Sequence, residues 1–477
     1  MHPPVSKSCH DFLVTEAQQD SLPHDAAHEA ALQQFLLFLG SALTAAGEAV
    51  NEVQEHLQAV AAAYGATRAR FAVLPTFVVV ALDPSRPATL EPTPQLRGVL
   101  RLDQTSALFD ILKRAIRAEI DPAEGSREVL EVVARPSKYR TLSTLAGHMV
   151  LTVGICLILQ PTWSDVALAA AFGLVVGVLK LIGTRWVPAQ TLMPVAAAFI
   201  VSALTFLLAN QGWANANLRT MIPPLVTFLP GAALTMSVIE LSAAQIVSGA
   251  SRLVSGGLQL VLLAFGIVSA AEAFGLPSAE VLVNAPQNLI GWWAPWLGMV
   301  VFGIGVAVFH SAPSGSLPGL FLVLLVAFVG QQVGSAFFGG YVGGFIGATA
   351  MTITARLVER TRFGPPALVS FLPGFWLLVP GALGLIGVTE YIASGPVVGV
   401  QDFLGTVGAM VAIAIGVLCG YLLLDAVKPV YRHTVRPALD LLPFQLMPSS
   451  WDEAFGARHD SQGKRKETEP GGSERDE

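Results

Sequence analysis

The sequence predicts a polytopic all-α membrane protein, with about ten transmembrane helices as two inverted five-helix repeats, preceded by a small N-terminal cytosolic α+β domain. Three observations predict it. Hydrophobic residues make up 53% of the chain and charged residues 13%, with a mean hydropathy of +0.59, whereas a soluble domain carries roughly a quarter of charged residues. Between Thr141 and Val427 only fifteen side chains are charged. A Pro-Gly break followed by a glutamate occurs twice in apolar surroundings, in PPLVTFLPGAALTMSVIEL (223–241) and in PPALVSFLPGFWLLVPGALGLIGVTEY (365–391).

Residues 1–30 are polar and read as a flexible tail, with no basic region leading into an apolar core, so no cleavable signal peptide is expected. Residues 31–140 read as the cytosolic domain. Leu32, Phe35, Leu36, Leu39 and Leu43, then Val50, Val53, Leu57, Val60 and Tyr64, recur at helical spacing on either side of Gly47, which predicts a helical hairpin. RFAVLPTFVVVAL and LRGVLRL read as strands, and amphipathic helices follow over 104–119 and 121–134, the second opened by Asp121-Pro122.

Apolar runs near the roughly 20 residues needed to cross a bilayer then fall at 142–160, 164–183, 190–210, 220–239, 254–274, 291–310, 316–334, 336–355, 365–387 and 402–424. They group as a first five-helix repeat over 141–275 and a second over 291–425. Residues 448–477 have the low hydrophobicity of a disordered tail. The formal charge of −6 comes from the two solvated ends and gives no reason to invoke nucleic acid. Cys9, Cys156 and Cys419 are scattered, without metal-ligand or disulfide spacing, so no metal or cofactor is expected.

Lys and Arg accumulate in cytoplasmic loops. With both termini cytosolic, Arg135, Lys138, Arg140, Lys180, Arg185, Arg252, Arg356, Arg360, Arg362, Lys428, Arg432 and Arg436 fall inside and only Arg219 falls outside. That asymmetry fixes the expected orientation. An odd number of spans per copy inverts the second copy, and aligning Pro230 with Pro380 also pairs Gly231 with Gly381 and Glu240 with Glu390. A competing register pairs Pro230-Gly231 with Pro373-Gly374 and leaves Glu240 opposite Leu383.

A broken helix in lipid leaves backbone groups unpaired, which is tolerated only against protein or a water-filled cavity. Paired breaks in the two halves of a membrane protein therefore point to a solute site near the midplane. Pro230, Gly231, Pro380 and Gly381 are the candidate binding residues: half-helix N-termini for a carboxylate and freed carbonyls for an ammonium. Glu240 and Glu390 are candidate proton-coupling acids, against the plainer reading of solvated loop acids. His148 and His310 read as packing residues. Gly339, Gly343 and Gly347, and Gly173 with Gly177, form small-residue ridges that serve contacts within the chain or in a homo-oligomer. Glu48, Glu52 and Glu55 with His56 leave open an enzyme or sensor role for the N-terminal domain, although no catalytic motif accompanies them and no catalytic residue is assigned.

From about Ala31 to Asp425 the chain resembles the threonine/serine exporter family in its fused form. FLLFLGSALTAAGEAVNEVQEHLQAVAAAYG resembles its N-terminal signature, FLPGAALTMSVIELSAAQIVSGASRL its Pro-Gly segment, and FWLLVPG its C-terminal LVPG motif. Glu240 stands where the family usually shows an aspartate. The resemblance implies a secondary exporter of threonine, serine or similar small solutes in the cytoplasmic membrane, driven by the proton-motive force as an antiporter. Relatives split into two polypeptides are similar to succinate exporters, so dicarboxylates are the alternative substrate class.

Overall fold

The computed structural model describes residues 24–83, 100–159, 162–185, 190, 192–213, 218–275, 290–361, 364–378, 385, 388–389 and 396–430. Pro380, Gly381 and Glu390 lie outside the described residues, as does the tail at 448–477.

Helices α1 (His24–Ala45) and α2 (Val50–Ala63) make the expected hairpin. Gly47 at the turn has φ +93°, the left-handed region that favours glycine. The apolar stripes predicted on both helices are buried in one core with strands β1 (Arg70–Leu74) and β2 (Phe77–Ala81), an antiparallel pair in which Arg70 faces Ala81 and Leu74 faces Phe77. LRGVLRL does not continue this sheet over its described residues, 100–102. Leu102 instead opens α3 (Leu102–Ile116), because Gln104 reaches back to accept from the Arg101 N–H at 3.0 Å and caps the helix. In α4 (Pro122–Ala134) the Asp121 side chain accepts from the Ala123 N–H at 2.9 Å, the cap its sequence predicts.

The remaining helices are α5 (Thr141–Ile158), α6 (Trp163–Arg185), α7 (Met193–Asn210), α8 (Leu218–Leu225), α9 (Gly231–Ser242), α10 (Ile246–Ala273), α11 (Ala294–Phe309), α12 (Leu317–Phe338), α13 (Gly340–Glu359), α14 (Ala367–Leu377) and α15 (Pro396–Val430). Among the described residues six are long and apolar enough to cross a membrane: α5, α6, α7, α10, α12 and α15. A seventh crossing arises if α8 and α9 count as one broken span, while α11 and α14 are shorter apolar helices. Their outward faces carry Val178 and Ile182 on α6, Leu258 and Phe265 on α10, and Leu322 and Val333 on α12, all exposed. Helices apolar both inside and outside are solvated by lipid, so the protein is a multi-pass membrane protein. Several hydroxyls inside it return to their own helix, as Thr152 Oγ1 donates to the His148 carbonyl (2.8 Å) and Thr205 Oγ1 to that of Val201 (2.8 Å).

Glycines set the closest crossing. A Cβ on Gly154 would lie 2.3 Å from the Phe302 backbone N, one on Gly305 would lie 2.2 Å from the Leu151 N, and one on Gly298 would lie 2.8 Å from the Gly154 carbonyl oxygen. Gly147 meets Phe309 in the same way. Contacts that run 147 with 309, 151 with 305, 154 with 302 and 157 with 298 make α5 and α11 antiparallel. Gly343 and Gly347 face α12, and Gly173 faces α5, so both ridges expected from the sequence serve contacts within this chain. Gly416 and Gly420 of α15 meet Phe345 and Thr352 of α13 in ascending order, so those two helices run parallel. Pro373 and Gly374 sit inside the unbroken α14, which gives the competing register no second break.

The N-terminal core is not closed by itself. Leu368 and Leu372 of α14 join it, and Glu240 and Arg252 reach it from α9 and α10. The membrane helices and the N-terminal segment therefore share one packed boundary.

Candidate functional site

The first Pro-Gly pair breaks its span as expected. Pro230 has no N–H to continue the ladder, so after a single 3-10 turn at Val226–Phe228 the chain bends by 57° and restarts as α9 at the buried Gly231. The orphaned carbonyls have partners. Val226 accepts from the Leu229 N–H at 3.1 Å, Thr227 from the Lys180 ammonium at 3.3 Å, and Phe228 from Gln259 Nε2 at 3.1 Å. At Thr227 and Phe228, where the sequence leads one to expect carbonyls free for a substrate ammonium, side chains of the protein thus take one acceptor position each. The opposite end differs. No side chain caps α9, so the N–H groups of its first turn keep their positive end of the helix dipole unmatched.

A cavity of about 810 Å³ opens at this break. Pro230, Ala232 and Ala233 line it beside Lys180 and Thr227, Phe309, His310 and Trp376 form another wall, and Gly47, Arg101, Ser137 and Tyr139 bring in the N-terminal segment. Lys180 also lies 4.8 Å from the Phe228 ring centre and 5.4 Å from that of Phe309, so its charge rests on two π faces. His148 is buried, with Nδ1 2.7 Å from the Gly173 carbonyl and Nε2 3.0 Å from Thr227 Oγ1. A carbonyl only accepts, so Nδ1 carries the proton and Nε2 accepts from the threonine, a packing role as expected. His310 stacks on Trp376 with ring centres 4.7 Å apart, and its Nε2 is buried without a hydrogen-bond partner. His310 thus has a spare polar atom that the packing reading did not foresee.

Glu240 is not a solvated loop acid, for it is completely buried. Its Oε1 lies 3.0 Å from Arg252 Nε and accepts from the Val50 N–H at 3.2 Å, which is the first turn of α2. Arg252 in turn donates to the Glu48 carbonyl at 3.4 Å and lines the cavity, whereas Glu240 stands behind it. The structure therefore separates two groups of sequence candidates: Pro230 and Gly231 sit at the break, and Glu240 sits at the joint between broken span and N-terminal segment.

A second cluster lies at the start of α2, with Glu48 in the turn before it. Glu48, Glu52 and His56, at spacings of four, bring one ligand atom each within 4.8 Å of one another, a donor set that could hold a divalent cation. Arg356 already faces it, with Nη2 3.6 Å from Glu52 Oε2 and donating to the Tyr421 hydroxyl, while Nη1 donates to Glu359. Burial, reinforced by the Glu52 charge, pushes the Glu48 carboxyl up to about 8. Burial, with Arg356 nearby, pushes His56 below the usual imidazole range.

The cavity-lining role of Lys180 had a sequence signal that was read only for orientation: an ammonium inside an apolar span. The seven-residue glycine spacing of α5 and α11 was also present in the sequence but shows its meaning only when the two helices meet. No curated protein and no solved structure matches the chain. A family model described as "putative threonine/serine exporter" matches residues 34–274, from α1 through α10 and including the break, the Lys180 helix and the Glu240–Arg252 joint. The chain is a member of the threonine/serine exporter family of membrane transport proteins.

Proposed function

We propose that this protein is a secondary exporter of threonine, serine or similar small carboxylate-bearing solutes, driven by the proton-motive force through alternating access around the cavity at Pro230-Gly231. The observation that carries the reading is the 57° break opening on a cavity of about 810 Å³ in a member of an exporter family. Broken helices at a midplane cavity are how membrane carriers present backbone dipoles to a solute. The antiparallel seam of α5 with α11 supports two inverted copies, because it joins what would be the first span of each. The glycines of the seam repeat at one offset, 298 minus 147 and 305 minus 154 both giving 151.

Lys180, Arg252 and Arg356 all lie on the side of the N-terminal segment, which supports cytosolic termini in the plasma membrane. Glu240 and Glu390 remain the proposed proton-coupling acids, with Pro380 and Gly381 as the second half of the binding site. Export of dicarboxylates such as succinate is the second reading, favoured by the three basic residues Arg101, Lys180 and Arg252 around a cavity whose described lining holds no carboxylate. Counterflow of labelled threonine, serine and succinate in proteoliposomes, with and without an imposed pH gradient, tests substrate and energy source together. Flux of none of the three would refute export.

A further inference from the structure

Charge inside the cavity is unevenly compensated. Arg101 bonds Asp103 at 3.0 Å and Arg252 pairs with Glu240 at 3.0 Å, but among the described residues the partners of Lys180 are a neutral carbonyl and two rings. An ammonium in low-dielectric surroundings is costly to keep without an anion. Around it stand two further groups with a polar valence unspent: the uncapped N-terminus of α9, entered at Pro230, Ala232 and Ala233, and His310 Nε2, buried and unpartnered. Phe309 joins them, since Lys180 lies 5.4 Å from its ring centre and the His310 ring 4.8 Å. The Thr227 and Phe228 carbonyls at the break already accept from Lys180 and Gln259.

We propose that Lys180, His310 and the first turn of α9 form a carboxylate-binding subsite, and that the cavity holds its solutes by this group, which serine, threonine and succinate share. This rests on the cavity at the break being the solute site. When the anion arrives, Lys180 exchanges a neutral carbonyl for a full charge, and the helix dipole and imidazole add directed hydrogen bonds. Glycerate, the hydroxy-acid analogue of serine, keeps the carboxylate and carries a hydroxyl in place of the ammonium.

Binding of labelled succinate to the purified full-length protein, by scintillation proximity, tests the subsite without requiring flux. Lys180→Gln is expected to weaken succinate on the order of 10- to 100-fold, the range for losing a charged hydrogen bond, while Lys180→Arg retains most of the affinity. In wild-type protein, succinamide should fail to displace succinate, whereas glycerate, with a carboxylate and no ammonium, should displace it. This arm remains decisive if Lys180→Gln fails to fold. Unchanged succinate binding in folded Lys180→Gln, displacement by succinamide, or wild-type protein that binds no carboxylate would each overturn the subsite. Failure of glycerate to displace succinate would overturn recognition by the carboxylate. Intact carboxylate binding without flux in proteoliposomes would leave the subsite standing and refute export instead.

Discussion

Removing the charge of Glu240 tests how the broken span is joined to the N-terminal segment. Glu240→Gln keeps an oxygen for the Val50 N–H, so the start of α2 stays capped, but Arg252 loses the acidic group it pairs with. Breaking one side of a buried ion pair costs about 3–5 kcal/mol. Arg252 retains 15% side-chain exposure and opens onto the cavity, where water can reach it, which places the expected loss near ~3 kcal/mol, the lower end of that range. Replacing both partners by neutral groups is often close to neutral, so Glu240→Gln with Arg252→Met should recover to within about 1 kcal/mol of wild type. Denaturant unfolding in detergent reads the stability, and hydrogen exchange over residues 50–54 reads whether α2 loosens with it. If the single and double variants both unfold with wild type, the pair does not hold this joint and the reasoning fails. Flux in the same variants separates structure from coupling, because a proton-carrying Glu240 leaves the well-folded double variant unable to respond to a pH gradient.

Gly154→Val should destabilise the protein by about 1–3 kcal/mol or more, since the new Cβ meets backbone atoms of Phe302 that cannot rotate away; a melting temperature equal to wild type would contradict the α5–α11 crossing. Gly257→Ala in α10, where a Cβ meets nothing within 4 Å, is the matched control and should gain about 0.5–1 kcal/mol. Glu48 gives a pH signature. Its folded carboxyl is raised from 4.5 to about 8, so its proton-linked contribution is complete below pH ~4.5 and is lost as pH rises through about 8, the folded protein holding a proton that the unfolded chain releases. Glu52, Glu359 and Arg356 face it. Wild-type stability should fall across that window more steeply than that of Glu48→Gln, and equal slopes would show that Glu48 is not held protonated.

The sequence made the membrane class and the first break legible because both depend on local chemistry: apolar length for the spans, and the missing donor of Pro230 for the interruption. The hairpin at Gly47 and the Asp121 cap were legible for the same reason. What stayed hidden depends on distant partners. Nothing near Glu240 announces that it receives the N–H of Val50, 190 positions away. Leu102 looked like the end of a strand because its alternation with Leu100 resembles one, yet the reach of Gln104 decided for a helix. Lys180 looked like a marker of orientation until its aromatic and carbonyl neighbours converged at the break.

Helices α5 and α11 contain 18 and 16 residues. At 1.5 Å per residue they are about 27 Å and about 24 Å long, against roughly 30 Å for the hydrocarbon layer. Helices shorter than that layer draw the lipid in to match them, and α11 ends at Phe309, which lines the cavity. The transmembrane voltage would drop there over a shorter distance than across the surrounding lipid, so a charged cargo leaving that chamber would meet a steeper gradient along a shorter route.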